Sequence, residues 1–192
     1  MKIATYNCNS VRKRMPIILD WLAKHEPDVL ALQETKVQDS EFPLEPLQDA
    51  GYHVHFRGMK GYNGVALLSR EPPTEVKYGF IPGPDSEDFR IIQIKVQGIR
   101  IVNTYVPQGF DIESEKYQYK LTWLARLNRY LTQMIKKGDP LIWLGDLNVA
   151  PHPIDVARPE KNTNDPCFHI LARKAYLKIV GDRLVDVRHQ LR

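Results

Sequence analysis

Three short apolar runs in this chain end on an amide or a carboxylate: TYNCN at 5–9, LQETK at 32–36 and LGDLN at 144–148. Each sets an Asn, Glu or Asp where a strand-like stretch leaves the core. Segments far apart in sequence can in this way deliver side chains to one edge of a fold. Carboxylates gathered like this are the raw material of a site for a hard, oxygen-seeking cation.

Further strand-like runs surround these three. The β-like segments are 2–6, 28–33, 52–56, 64–69, 90–96, 99–106 and 141–145, and Gln97-Gly98 forms a hairpin turn between the fifth and sixth. Several strands are therefore expected to pair antiparallel. Helical periodicity covers 11–25, with Val11, Met15, Ile18 and Trp21/Leu22 on one face, and 113–137, through Tyr117, Leu121, Leu124, Leu131 and Ile135. A third helix is expected from about Asp165 to Val180, with Asp165 as N-cap, Pro166 at its first position and Gly181 just past its end. The stretches 70–88 and 150–166 are expected to be surface loops, because core elements continue on both sides. Strands, helices and antiparallel pairing together predict an α/β sandwich.

A length of 192 residues suits a single domain, 1–192, with a sizeable core. The charge of +4 suits a polyanionic partner and by itself selects none. Cys8 and Cys167 form neither a CxxC pair nor a disulfide framework, so both are expected to be free thiols in a reducing compartment, most simply the cytoplasm. The longest apolar runs, VLAL and LIWL, are far shorter than the ~18 residues of a membrane span, and KIATY begins too early for a signal peptide.

Taken singly, each polar residue has an ordinary structural explanation. Glu34 could cap a turn, Asn7 could bond its own backbone, and Asn148 could form an Asx-turn before Pro151. Tyr105 could be a core aromatic in an alternating strand. His53 and His55 alternate on one strand face and read as ordinary strand residues rather than metal ligands. Gly145 permits a sharp exit from the strand LIWLG, so that Asp146 emerges from a buried segment; Asn148 points to the same side if the chain stays extended.

The strings TYNCNSVR (5–12), LQETK (32–36), GYNGVALLS (61–69), NTYVPQG (103–109) and LGDLNVAP (144–151) stand in the order found in the exonuclease III and apurinic/apyrimidinic endonuclease group. The chain closely resembles that group of the endonuclease/exonuclease/phosphatase superfamily. The resemblance implies two mixed β-sheets packed face to face with helices outside, a four-layer sandwich like that of pancreatic-type deoxyribonucleases. It implies a metal-dependent phosphodiesterase of base excision repair: an abasic-site endonuclease and 3′-to-5′ exonuclease on duplex DNA, monomeric, without a membrane partner and using Mg²⁺ or Mn²⁺. Glu34 and Asn7 then lie at the metal, the Asn7 amide oxygen approaching the ion or the amide orienting Glu34. Asp146 handles the attacking water, with its own metal contact and that of Asn148 left open. Asn148 and Tyr105 face the phosphate. Phosphate contacts fall to Lys36, Arg57, Lys60, Arg90, Lys116 and Lys120, with Gly58, Gly61, Tyr62, Asn63 and Gly64 in a loop that can approach a strand closely. Asn103 and Gln108 are expected to tie the Tyr105 strand end to its neighbours.

Two departures from the family pattern are visible. Ser10 stands where the family usually has Gly, and Ala172-Arg173 replaces an acid-Arg pair in the late helix, although LVD at 184–186 still resembles the following strand. The chain ends at Arg192 before the family's final strands and its S-D-H motif, so it is expected to be an incomplete domain with unpaired edges, poor stability and little activity of its own. Two rival functions follow: a sister phosphoesterase on phosphoinositide or sphingomyelin headgroups, against which the Q-E-T-K and Y-V-P-Q-G strings argue, and a non-catalytic DNA-binding remnant.

Overall fold

The structure is a computed structural model and describes residues 1–80 and 89–190. These residues form two compact units: the described part of Met1–Tyr105 with Asp139–Leu147, and Val106–Gly138 with the described part of Asn148–Arg192.

The first unit holds all eight strands among the described residues. β1 (Ile3–Asn7) leads through helix α1 (Val11–His25) to β2 (Val29–Gln33); the short α2 (Glu45–Asp49) precedes β3 (His53–Arg57) and β4 (Val65–Ser69). β5 (Glu75–Tyr78), β6 (Ile91–Val96), β7 (Ile99–Tyr105) and β8 (Leu141–Asp146) complete the set. They form two four-stranded mixed sheets, ordered β1-β2-β4-β3 and β5-β6-β7-β8. In each, one edge pair is parallel, β1 with β2 and β7 with β8, and the other pairings are antiparallel. A parallel pair brings two strand C-termini side by side, and here each pair ends in the polar residues noted above.

Side-chain alternation along β2 separates two core layers. Leu30 and Leu32 pack with Val11, Ile18 and Leu22 of α1, whereas Val29 and Ala31 pack with Val65, Leu67 and, from the other sheet, Ile92, Ile94 and Ile101. One face of the first sheet is thus covered by a helix and the other by the second sheet. Each fully buried Leu or Ile in these layers contributes about 1.5–3 kcal/mol relative to exposure. Between the sheets Asn103 of β7 is fully buried; its Nδ2 donates to the carbonyls of Leu32 and Ala66 at 2.9 Å each, and its Oδ1 accepts from Gln33 Nε2 at 2.7 Å. The expected tie from Asn103 is therefore present, and it fixes the register of one sheet on the other.

The hairpin between β6 and β7 turns at Gln97 and Gly98, both at positive φ (50° and 76°), as a tight turn matched to strand twist requires. β5 lies within the stretch expected to be a loop. EVKY has one aliphatic residue and three polar or amphipathic ones, too short an alternation to register as a strand, and pairing with β6 together with the Glu75 to Arg100 ion pair at 3.1 Å holds it in the sheet. Residues 81–88 of that stretch lie outside the described residues.

In the second unit α3 (Glu115–Ile135) packs against α4 (Ile170–Val180), and α5 (Val187–Gln190) closes the described chain. Ser114 caps α3 by accepting from Tyr117 N at 3.2 Å. Its buried stripe runs through Tyr117, Lys120, Leu124, Leu127, Leu131 and Met134, so the face is rotated slightly from the expected one and Leu121 and Ile135 lie at its margin. Helix α4 begins four residues later than expected, at Ile170 rather than Pro166. The Asp165 side chain accepts from Cys167 N within a preceding turn, and His169 takes the N-cap position. Gly181 does end the helix, at φ 50°. LVD at 184–186 forms no strand; Asp186 instead accepts a 2.6 Å hydrogen bond from Tyr176.

Candidate active site

The C-terminal ends of four strands meet in the first unit. Asn7 closes β1, Glu34 follows β2, Tyr105 closes β7 and Asp146 closes β8, where it stands opposite Tyr105 in the parallel register. Asn7 Nδ2 donates to Glu34 Oε1 at 2.7 Å and to Asp146 Oδ2 at 2.8 Å. One amide therefore bridges the two carboxylates. Its oxygen is turned away and accepts from Asn9 N at 3.1 Å, so of the two expected roles for Asn7 the geometry fits the orientation of Glu34 rather than an approach of the amide oxygen to an ion.

Glu34 lies at φ 52° and Lys36 at φ 52°, so the chain after β2 turns sharply twice. The turn is held by the 61–64 loop: Thr35 N donates to Gly64 O at 3.2 Å and Lys36 N to Asn63 O at 3.0 Å. Gly64 is required there, since at φ 90° an added Cβ would stand 2.0 Å from Thr35 Oγ1. The same holds for Gly145, where a Cβ would meet the Thr104 carbonyl oxygen at 2.0 Å, which accounts for the glycine just before Asp146.

Lys36 Nζ lies 2.7 Å from Glu34 Oε2 and donates to Asn9 Oδ1, so this lysine folds onto the carboxylate rather than projecting as a separate phosphate arm. Burial raises the Glu34 pKa, but the hydrogen bonds from Asn7 and Lys36, the Lys36 charge and a hydrogen bond from Tyr105 outweigh it, and the carboxyl sits below the usual range. The Tyr105 phenol is pushed the other way. Burial and the Glu34 charge raise it to about 12 against the opposing pull of Arg90, so it is a neutral donor at ordinary pH. Arg90 is clamped on this tyrosine, with its guanidinium 4.7 Å from the ring centroid and Nη1 donating to Tyr105 O at 3.2 Å.

Of the other expected DNA contacts, Lys60, Gly61 and Tyr62 are exposed, Tyr62 at 72%, while Asn63 is partly buried and Arg57 lies over the Phe89 ring at 5.5 Å. His53 and His55 join no metal cluster among the described residues. Lys116 sits over Phe110, with Nζ 5.1 Å from the ring centroid. Lys120 is fully buried and cannot meet a phosphate, which corrects the sequence reading. Asn148 belongs to the second unit, where its Nδ2 donates to Val106 O at 2.9 Å. Its φ of 45° shows that the chain is not extended there, so the condition for Asn148 sharing a side with Asp146 is not met. Asn9 was not singled out from sequence; its place two residues after Asn7 in TYNCN was the available signal.

No group of three or more His, Cys, Asp and Glu that could hold a metal occurs among the described residues. Two carboxylates joined by one amide are nevertheless an all-oxygen donor set of the kind Mg²⁺ accepts, since that ion keeps several waters and needs only one or two protein carboxylates.

The model of the Endonuclease/Exonuclease/phosphatase family matches residues 4–189. The chain belongs to this family, within its exonuclease III and AP endonuclease superfamily. It is 34% identical over 167 residues to exodeoxyribonuclease III of Haemophilus influenzae and 31% identical over 190 residues to an exodeoxyribonuclease of Bacillus subtilis, covering 84% and 97% of this chain. It spans 62% and 73% of those two proteins. Among solved structures, an AP endonuclease from Archaeoglobus fulgidus superposes with a TM-score of 0.94 at 50% identity, covering 99% of this chain and 74% of that one. The 3′-5′ exonuclease NExo of Neisseria meningitidis superposes at 0.90 with 36% identity, covering 94% of this chain and 70% of that one. The family fold, two mixed sheets with flanking helices, is the one expected from sequence.

Proposed function

We propose that the protein carrying this domain is a metal-dependent DNA phosphodiesterase that incises duplex DNA at abasic sites and trims 3′ ends, as in base excision repair. The observation that carries this reading is the Asn7 amide bridging Glu34 and Asp146, with Tyr105 beside them. The similarity to the Haemophilus and Bacillus exodeoxyribonucleases and to the Archaeoglobus AP endonuclease supports the substrate class.

Glu34 and Asp146 would hold Mg²⁺ or Mn²⁺, with Asn7 fixing both carboxylates. Such an ion, when bound, would neutralise phosphate charge and acidify water. The remaining roles belong to the chain's own residues. Asp146 accepts the proton of the attacking water. Tyr105, protonated well above neutral pH, donates to a phosphate oxygen as charge builds. Lys60, Gly61 and Tyr62 present an exposed loop to the strand, while Arg57, Asn63 and Arg90 line it from partly buried positions and Lys36 stays folded on Glu34.

The test uses three substrates side by side with Mg²⁺ and with chelator: a duplex with one abasic site, a duplex with recessed 3′ ends, and a phosphoinositide vesicle. Chelator-sensitive nicking and trimming of DNA, strongly reduced by Asp146→Asn with DNA binding retained, is the expected result. Headgroup release without DNA cleavage would assign the sister phosphoesterase class instead. DNA binding without cleavage of any substrate would leave only a binding role.

A further inference from the structure

Both carboxylate oxygens of Glu34 meet a donor: Oε1 accepts from Asn7 Nδ2 at 2.7 Å, and Oε2 lies 2.7 Å from Lys36 Nζ. The lysine is held there from a second side, donating to Asn9 Oδ1 at 2.5 Å, while Asn9 N donates to Asn7 Oδ1 at 3.1 Å. Asn7, Glu34, Lys36 and Asn9 thus close a ring of polar contacts, all within the first unit. The backbone beneath it is fixed independently, since Thr35 N and Lys36 N are bonded to the carbonyls of Gly64 and Asn63.

A lysine placed like this is a rival for a divalent cation. An ammonium and Mg²⁺ both seek carboxylate oxygen, and the positive charge beside Oε2 repels a second one brought to the same oxygen. The pair is not sealed in: the Lys36 and Glu34 side chains are 31% and 18% exposed, so the flexible stem of the lysine can swing into solvent without disturbing the turn. An ion then meets a site that is competent only while the lysine is away, and its apparent affinity falls by that fraction.

We propose that Lys36 is an internal counter-cation of Glu34 that competes with the divalent ion for Oε2, so that ion binding requires the lysine to leave the carboxylate. The inference rests on the metal-dependent reading given above. It gives Lys36 the task of setting the metal affinity rather than of gripping the DNA backbone.

The test follows free Mn²⁺ by electron paramagnetic resonance in titrations of the wild-type chain, Lys36→Met and Lys24→Met. Lys24 lies in the last turn of α1, which leads into the start of β2, at the opposite end of that strand from Glu34. Its removal therefore controls for net charge alone. Lys36→Met should bind Mn²⁺ about tenfold more tightly than wild type, and Lys24→Met within about twofold of it. Saturating Mg²⁺ should also shift the Lys36 ε-methylene NMR resonances of the wild-type chain toward those of exposed lysines. Equal or weaker Mn²⁺ binding by a folded Lys36→Met would overturn the proposal and leave the metal site standing. If Lys36→Met does not fold, the wild-type resonances decide, and Lys36 signals unmoved at saturating Mg²⁺ would overturn it. No Mn²⁺ binding by any of the folded chains would defeat the metal-dependent reading and this proposal with it.

Discussion

Asn7 and Asp146 stand 139 positions apart in sequence, yet the amide nitrogen of one lies 2.8 Å from a carboxylate oxygen of the other. The same nitrogen holds Glu34, so the end of β1 joins the ends of β2 and β8 through one planar group. Each is a hydrogen bond to an ionised acceptor, roughly twice as strong as a neutral one.

Replacing Asn7 by Ala removes both bonds and leaves two carboxylates to repel one another. For a partly buried pair the loss of stability is expected to be about 1–3 kcal/mol, read as a lower midpoint in urea denaturation. Added Mn²⁺ should recover part of it by neutralising the freed charges. A midpoint unchanged from wild type would show that the bridge contributes nothing.

Ser10 carries backbone strain at the start of α1. Its φ of 91° and ψ of 104° lie where glycine is at ease and a Cβ is not, and its side chain makes no capping bond. Such a conformation costs about 1–3 kcal/mol, partly offset by the extra unfolded-state freedom of glycine. Ser10→Gly should therefore stabilise the chain by about 1 kcal/mol, visible as a higher Tm. A lower Tm would mean that the serine hydroxyl has a structural role that outweighs the strain.

The two shifted groups at the site give opposite pH limits. Glu34 is held below its usual range, so its contribution to stability is present above the unfolded value of 4.5 and is lost as pH falls through the folded value. Tyr105 is raised from 10.0 to about 12, so its contribution is present below 10.0 and is lost as pH rises toward about 12. In the difference between wild type and Tyr105→Phe, absorbance near 295 nm should show no phenolate forming until well above pH 10. Ionisation at an ordinary tyrosine pKa would remove both the burial and the Glu34 contact from the account.

Much of this arrangement was legible in the sequence because it sits at strand ends. Asn7, Glu34, Tyr105 and Asp146 each follow a short apolar run, and the order of motifs set them in one family frame. Less legible was whatever depended on non-local contacts. Lys120 reads as a solvated charge in a helix, and only the three carbonyls around it explain its burial. β5 has too few apolar residues to declare itself and exists through pairing with β6. The turn at 165–169 carries Asp and Pro, which also start helices, and the competing Asp165 to Cys167 bond decided for a turn.

The central claim is that the cluster joined by Asn7 is a site for a divalent cation. It is tested most directly by titrating Mn²⁺ into the wild-type chain and into Glu34→Gln while following the free ion by electron paramagnetic resonance. Glu34→Gln keeps the shape of the side chain and removes its charge, so the fold should persist while bound Mn²⁺ is lost. Equal binding by the two folded proteins would place the metal elsewhere and contradict the account.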